Sequence, residues 1–162
     1  MRRKKTFEPA YPPLTRRIER TVRFEEVDAL SYMWHGRYAS WFEDGRENIG
    51  RHFGISYLDF YSHGVFVPLK TFFVTYHAPL IYAQKYIIET SLLWNEACIL
   101  EYNYIIFDSD KTIMTYAETT QLMITKEKEL LLELPKFYQN FCELWKAGKV
   151  DENSDCHTHS SL

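Results

Sequence analysis

Asp28 and His35 lie in the stretch of sequence whose residue types and spacing are best suited to chemistry, Glu25-Glu26-Val27-Asp28-Ala29-Leu30-Ser31-Tyr32-Met33-Trp34-His35-Gly36-Arg37-Tyr38. In this stretch a predicted strand ends in an acid, and a predicted helix begins a few residues later. The first turn of a helix presents N–H groups without intrahelical partners and the positive end of the helix dipole, so it can stabilise an oxyanion. A carboxylate on the preceding loop can then attack the polarised carbonyl carbon or activate a water molecule beside it.

Each candidate side chain also has a purely structural interpretation. Asp28 could cap a turn or the helix. His35 could hydrogen-bond to Asp28 or to a ligand, or only pack near the helix start, because the oxyanion argument needs just its backbone N–H. Tyr38 suits a pocket wall or the core better than a proton donor. Glu43 and Arg46 are three positions apart, which permits a local ion pair worth about 0.2 to 0.5 kcal/mol.

The helix that must position these residues is predicted to run from about Trp34 to Phe53 and to end at Gly54. Apolar and small residues recur along it at spacings of three and four, which places them on one face. They are Tyr38, Trp41, Phe42, Gly45, Ile49 and Phe53. Because glycine lowers helix propensity, Gly45 on this face indicates close packing against a sheet.

Strand-like segments account for most of the remaining sequence. A first strand is predicted from Thr21 to Val27, and four longer ones follow at Val65 to Tyr76, Tyr86 to Trp94, Ile99 to Phe107 and Thr112 to Ile124. Their short connections favour antiparallel pairing. We therefore predict an α+β fold in which a sheet of about five strands covers one long helix. A short second helix is predicted after Pro135, with Phe137, Phe141, Leu144 and Trp145 on one side.

The expected domain spans residues 20–147. Residues 1–19 contain three prolines and many basic residues, and they are predicted to form an extended arm. This arm is either a solvated segment or edge-strand extension, or it attracts an anionic partner. Residues 148–162 have the polar composition of a disordered tail.

Composition limits the classes of protein that remain. With 162 residues, 46% of them hydrophobic, the chain can bury the core of one domain. No stretch approaches the roughly 20 apolar residues of a membrane-spanning helix, and the basic N-terminus lacks the apolar segment of a signal peptide. We therefore expect a cytoplasmic protein that does not insert into membranes. The formal net charge of -3 argues against nucleic acid as the main partner.

Several kinds of functional site are not indicated by the sequence. The three cysteines are widely spaced and contain no CxxC pair, so neither a disulfide framework nor a zinc site is predicted. His52, His63 and His77 lack a metal-ligand spacing and are interpreted as loop or surface histidines. The sequence has no GxSxG elbow, P-loop or GxGxxG motif.

The segment from Asp28 to Arg46 resembles the signature of the 4-hydroxybenzoyl-CoA thioesterase-like and YbgC-like hot-dog proteins. Asp28 stands where these proteins have their catalytic Asp, and the pattern continues without a gap through His35-x-x-Tyr38 and Phe42-Glu43-x-x-Arg46. Two later segments resemble the helix end and a strand turn of the family, Gly54-Ile55-Ser56-Tyr57 and Tyr76-His77-Ala78-Pro79. The resemblance extends over about residues 20 to 140.

This resemblance implies a hot-dog fold that forms a homodimer, or a tetramer, in which a continuous sheet joins two subunits and the active sites lie at their interface. It implies hydrolysis of an acyl-CoA or acyl-carrier-protein thioester, with Asp28 as nucleophile or general base and the helix start near His35 polarising the thioester carbonyl. No metal or organic cofactor is implied. A non-hydrolytic acyl-thioester-binding or dehydratase-like protein of the same fold is the alternative. The expected substrate-binding residues are Trp34, Arg37, Tyr38, Glu43 and Arg46.

The sequence departs from the family pattern at a few positions near the site. The family commonly has Gly at the position of Ser31 and Asn at that of Arg37, and often Asp at those of Glu26 and Gln84. A cation early in a helix is unfavourable for the helix dipole, so Arg37 is expected to contact an anionic ligand or the partner subunit.

Overall fold

A single antiparallel sheet of five strands packs against a long helix in the computed structural model, which describes residues 9–151. The strands are β1 (Leu14–Thr21), β2 (Leu69–Tyr76), β3 (Lys85–Leu93), β4 (Ile99–Phe107) and β5 (Ile113–Leu122), in the order β1-β3-β4-β5-β2. The helices are α1 (Tyr38–Phe53), α2 (Tyr57–Ser62) and α3 (Lys136–Lys146), with 3-10 turns at Phe24–Glu26 and His35–Arg37. Within residues 9–151, no helix has the length and apolar character needed to cross a membrane.

The predicted sheet and central helix are confirmed. Strands β2 to β5 fall inside the predicted segments or within one residue of them, and every pairing in the sheet is antiparallel. Helix α1 ends at Gly54, whose φ of 70° is the left-handed conformation that glycine adopts without strain. Helix α3 begins directly after Pro135, as expected.

The predicted position of the first strand is wrong. Strand β1 covers Leu14–Thr21 and pairs with β3, whereas Phe24–Glu26 forms a 3-10 turn. Residues 14–19 of the predicted arm therefore belong to the sheet as an edge strand. The alternation of apolar and polar residues is hidden in β1 because Arg16 and Arg20 occupy positions on its more buried face.

An extended arm and a disordered tail are predicted for the two ends of the chain. Residues 1–8 of the predicted arm and residues 152–162 of the predicted tail lie outside the described residues. Within the described part of the tail, Val150 is buried and an Asp151 carboxylate oxygen lies 3.3 Å from His52 Nε2. The packed structure thus continues a few residues beyond the predicted domain boundary at 147.

Close contact between α1 and the sheet depends on Gly45. A Cβ atom built on Gly45 would overlap the Thr90 Oγ1 atom of β3. Thr90 is itself buried, and Trp41 and Ile49 on the same face of α1 are fully buried. The predicted packing of this glycine against a sheet is confirmed.

We predict that Gly45→Ala destabilises the fold by about 1 to 3 kcal/mol, because overpacking at a buried contact outweighs the gain in helix propensity. Thr90→Ala removes the overlapping atom, so the double variant should recover part of this loss. Chemical unfolding of the parent, both single variants and the double variant measures the coupling. Additive losses would show that the Gly45–Thr90 contact does not limit the approach of the helix.

Candidate active site

Asp28 closes a tight loop between the two 3-10 turns. Its backbone N–H donates to the Tyr32 carbonyl over 2.8 Å, and its Oδ1 atom accepts from the N–H groups of Leu30 (2.8 Å) and Tyr32 (3.2 Å). Ser31 in this loop has a φ of 62°, in the left-handed region where glycine is unstrained. The two donors orient one carboxylate oxygen of the exposed Asp28 and leave Oδ2 free of these two contacts.

The start of the helix follows directly after this loop. The Trp34 N–H donates to the Glu26 carbonyl over 2.8 Å, and the turn His35–Arg37 then leads into α1. The first N–H groups of such a turn have no carbonyl partner inside the helix, so those of His35 and Gly36 are available to a ligand. The indole ring of Trp34 lies directly against the backbone of Gly36, where a Cβ atom would overlap it.

A cleft of about 360 Å³ joins the Asp28 loop to the helix start. Its third wall comes from the end of β2 and the turn after it, which a hydrogen bond from His77 N–H to the Met114 carbonyl (2.9 Å) ties to β5. The lining residues are Asp28, Tyr32, Met33, Trp34, His35, Tyr38, Tyr76, His77, Ala78 and Pro79. A carboxylate, two imidazoles and the N-terminal N–H groups of a helix therefore share one opening, which suits attack on a carbonyl group.

Tyr38 forms the buried base of this cleft. Only 2% of it is exposed, and its ring lies edge-on to that of Tyr76 at 4.8 Å between centroids. Burial raises the pKa of Tyr38 above its ordinary value. Tyr38 is therefore neutral near pH 7 and contributes a wall, in agreement with its interpretation as a pocket or core residue.

The other predicted substrate-binding residues lie outside the cleft within one chain. Arg37 is exposed at the start of α1. Glu43 and Arg46 line a separate pocket of about 370 Å³ between α1, α2 and the sheet, where they form an ion pair of 2.9 Å. Burial raises the pKa of Tyr104 to about 12, and the nearby positive charge of Arg46 opposes this shift. The local ion pair considered from the sequence is thus present, and a substrate contact by these residues stays a prediction.

The sequence reading missed several residues of the site. Tyr32, Tyr76 and His77 line the cleft. Glu26, two residues before Asp28 in the sequence, is buried. A sequence signal existed for His77, which follows a predicted strand end in a segment that resembles the family. Within the described part of the chain, no three His, Cys, Asp or Glu side chains are grouped to hold a metal ion.

The profile of the thioesterase-like superfamily matches residues 22–141. This match includes the Asp28 loop, α1 and the whole sheet except β1. The chain belongs to the thioesterase-like superfamily. The family and the hot-dog fold expected from the Asp28 to Arg46 segment are therefore confirmed.

Individual proteins of known sequence or structure support this assignment. The chain is 23% identical over 128 residues to the "Putative acyl-CoA thioesterase YneP" of Bacillus subtilis, which covers 79% of this chain and 93% of that protein. It is 27% identical over 117 residues to a "Putative esterase" of Aquifex aeolicus, and this alignment covers 72% of this chain and 89% of that protein. It shares its fold with the solved DHNA-CoA thioesterase of Staphylococcus aureus, with a TM-score of 0.74 and 23% sequence identity. The superposition covers 87% of this chain and 95% of that protein.

Proposed function

We propose that this protein hydrolyses the thioester bond of an acyl-CoA. The observation that carries the proposal is the shared cleft, in which the Asp28 carboxylate faces the same opening as the N-terminal N–H groups of a helix. Relatives described as acyl-CoA and DHNA-CoA thioesterases support coenzyme A as the thiol component. An acyl-carrier-protein thioester presents the same reacting group and is the second substrate to be compared. The cytoplasm stays the predicted location.

Asp28 supplies the carboxylate in this reaction. Its Oδ1 atom is held by two backbone donors, which leaves Oδ2 to act on the substrate. Oδ2 either attacks the thioester carbonyl carbon to form an anhydride that water hydrolyses, or takes a proton from a water molecule that attacks the carbon. Both routes break the C–S bond and release the free acid and the thiol.

The helix start supplies electrostatic stabilisation. Negative charge develops on the carbonyl oxygen as the tetrahedral centre forms, and preorganised N–H donors stabilise this charge more than they stabilise the substrate. The N–H groups of His35 and Gly36 stand at the first positions of the helical turn. Backbone hydrogen bonds hold the chain on both sides of these donors, from the Trp34 N–H to the Glu26 carbonyl and from the Arg37 N–H to the Trp34 carbonyl.

A homodimer formed through the β2 edge is the second part of the proposal. The outer strand β1 carries four charged residues among its eight, a common protection of a free sheet edge. The opposite edge strand β2 instead exposes Leu69, Phe72, Phe73 and Tyr76, with 65% of Phe73 exposed. Pairing of two β2 strands would continue the sheet and cover part of these side chains, with Phe72 and Tyr76 on the face that packs on α1 and Phe73 on the other face. Since Tyr76 also lines the cleft, the partner would lie beside the reacting groups.

Asp28→Asn is the direct test of the carboxylate. Asn keeps the size and can still accept the two backbone hydrogen bonds, so we expect normal folding and substrate binding. Hydrolysis should fall at least about 100-fold, since general-base assistance is typically worth about 100- to 10,000-fold. Thiol release over a panel of acyl-CoA and carrier-protein thioesters gives the measurement. Turnover within a few-fold of the parent would make Asp28 a structural residue and would favour a non-hydrolytic reading of the cleft.

His35→Pro and His35→Ala separate the backbone donor from the imidazole. Proline is tolerated at a first helical position, and Trp34 before it already has the extended conformation that proline requires (ψ 135°). Loss of one oxyanion donor should reduce kcat by about 100-fold in His35→Pro. His35→Ala, which keeps the N–H, should stay within about 10-fold of the parent. An equal loss in both variants would assign the role to the imidazole instead.

Phe73→Lys tests the β2 interface. Sedimentation at micromolar concentration should give a dimer for the parent and a monomer for Phe73→Lys, because the substitution removes apolar surface from β2 and places a positive charge on each of the two paired strands. Leu132→Lys is the matched control, since Leu132 is 96% exposed and lies outside β2. Hydrolysis should fall with dimer content in the first variant and remain unchanged in the second. A monomeric, fully active parent would refute the shared-site proposal.

A further inference from the structure

Glu26 carries a carboxylate that is buried two residues before Asp28. Only 3% of it is exposed. Its Oε1 atom accepts hydrogen bonds from Arg20 Nη2 and Trp41 Nε1, each at 2.9 Å, and its Oε2 atom accepts from the Arg23 N–H at 2.9 Å. Both oxygens of a charged group withdrawn from water are thus occupied by donors from three parts of the chain.

Arg20 extends this network to the surface of the helix. Its guanidinium lies 4.8 Å from the centre of the Trp41 ring and forms a second ion pair of 2.8 Å with Asp44. The Arg20 side chain is 14% exposed, whereas that of Asp44 is 54% exposed. Strand β1, the first 3-10 turn and the second turn of α1 are therefore joined at one carboxylate.

The backbone of Glu26 connects the same residue to both halves of the cleft. Its carbonyl accepts the Trp34 N–H over 2.8 Å, directly before the helix start. Val27, the next residue, forms a bridge with Met33, and these two residues enclose the Asp28 loop. A displacement of Glu26 would therefore move the carboxylate of Asp28 and the N–H groups of His35 and Gly36 relative to each other.

We propose that Glu26 is a positioning residue that sets the relative placement of the Asp28 loop and the helix start. This inference rests on the proposed thioester hydrolysis, because the placement matters for attack on a carbonyl group. A misplacement of about 1 Å can cost about 100-fold in rate. A buried ion pair is often no more stabilising than apolar residues of similar volume, so net stability alone does not account for a charged network here.

Glu26→Gln is the principal variant. The amide keeps the shape but loses the charge opposite Arg20. If its nitrogen faces the Arg23 N–H, one donor loses its acceptor, and if its nitrogen faces Arg20 and Trp41, both of these donors lose theirs. We expect kcat for acyl-CoA hydrolysis to fall about 10- to 100-fold with KM changed less than about 3-fold. Trp41→Phe removes one donor and keeps the buried ring, so it should give a smaller fall of the same kind. It also provides a variant that folds if Glu26→Gln does not.

Two controls separate positioning from loss of stability. Asp44→Ala removes the exposed partner of Arg20 and leaves the contacts of Glu26 intact, so its kcat should match that of the parent. Phe141→Leu destabilises the far end of α1, where Phe141 packs on Phe53, and kcat should again be unchanged below its melting temperature. A fall in kcat in Phe141→Leu equal to that in Glu26→Gln at matched stability would overturn the inference.

A measurement independent of activity tests the same geometry. Amide hydrogen exchange followed by NMR at Leu30, Tyr32 and Trp34 reports the hydrogen bonds that these groups give to Asp28 Oδ1 and the Glu26 carbonyl. In Glu26→Gln, exchange at these amides should accelerate at least 10-fold, while amides of β4 keep the exchange rates of the parent. Unchanged exchange at all three amides would overturn the positioning role. If the parent protein hydrolyses no thioester, the proposed function fails, and the exchange result still decides whether Glu26 holds the loop.

Discussion

The carboxylate of Glu26 is the point at which the strand, the turn and the helix of the site are fixed relative to each other. A charge removed from water is tolerated only if its hydrogen-bonding capacity is filled, and here Arg20, Trp41 and the Arg23 N–H fill it. These donors are directional, so they define the place of the turn more narrowly than apolar packing would. Glu26 precedes the Asp28 loop in the sequence, and its carbonyl accepts the Trp34 N–H at the helix start. Both parts of the site are therefore attached to this residue.

The second constraint is the close approach of α1 to the sheet. Gly45 presents no side chain toward Thr90, so the helix lies nearer to β3 than any larger residue would allow. The distance between α1 and the sheet determines where the first turn of the helix lies relative to the end of β2. Tyr38 and Tyr76 consequently meet edge-on at the base of the cleft. The same packing that stabilises the core thereby completes the wall opposite Asp28.

The two edges of the sheet differ in a way that bears on assembly. The β1 edge has inward-facing arginines with partners inside the chain, such as Arg16 with Asn48 at 3.0 Å. The β2 edge exposes aromatic rings and continues directly into the residues that line the cleft. A single chain of this thioesterase-like protein thus presents its reacting groups next to its least protected edge. This adjacency is the observation behind the proposal that a second subunit completes the site.

Features of the fold that depend on local or periodic signals can be predicted from the amino-acid sequence. Apolar residues at helical spacing predict α1, and alternating residues predict strands β2 to β5. Gly54 marks the helix end because glycine adopts without strain the left-handed conformation with which this helix closes. The place of Asp28 just before a helix start was also evident, since loop and helix are adjacent in the chain. Helix α2 was missed although Ser56 and Asp59 form a capping box.

Features that depend on contacts between residues distant in sequence become visible only in the folded chain. The predicted position of β1 is wrong because the more buried face of this strand carries arginines, which the sequence pattern indicates as exposed. In the structure these arginines bind Asn48, Glu26 and Asp44. The sequence alone indicates no role for Glu26, because its donors Arg20 and Trp41 lie on other elements of the fold. Only the fold brings His77 into the cleft and directs Glu43 and Arg46 toward a different pocket. Hydrophobic periodicity indicates which apolar residues are buried, but it does not indicate which charged residues are buried with an ion-pair or hydrogen-bond partner.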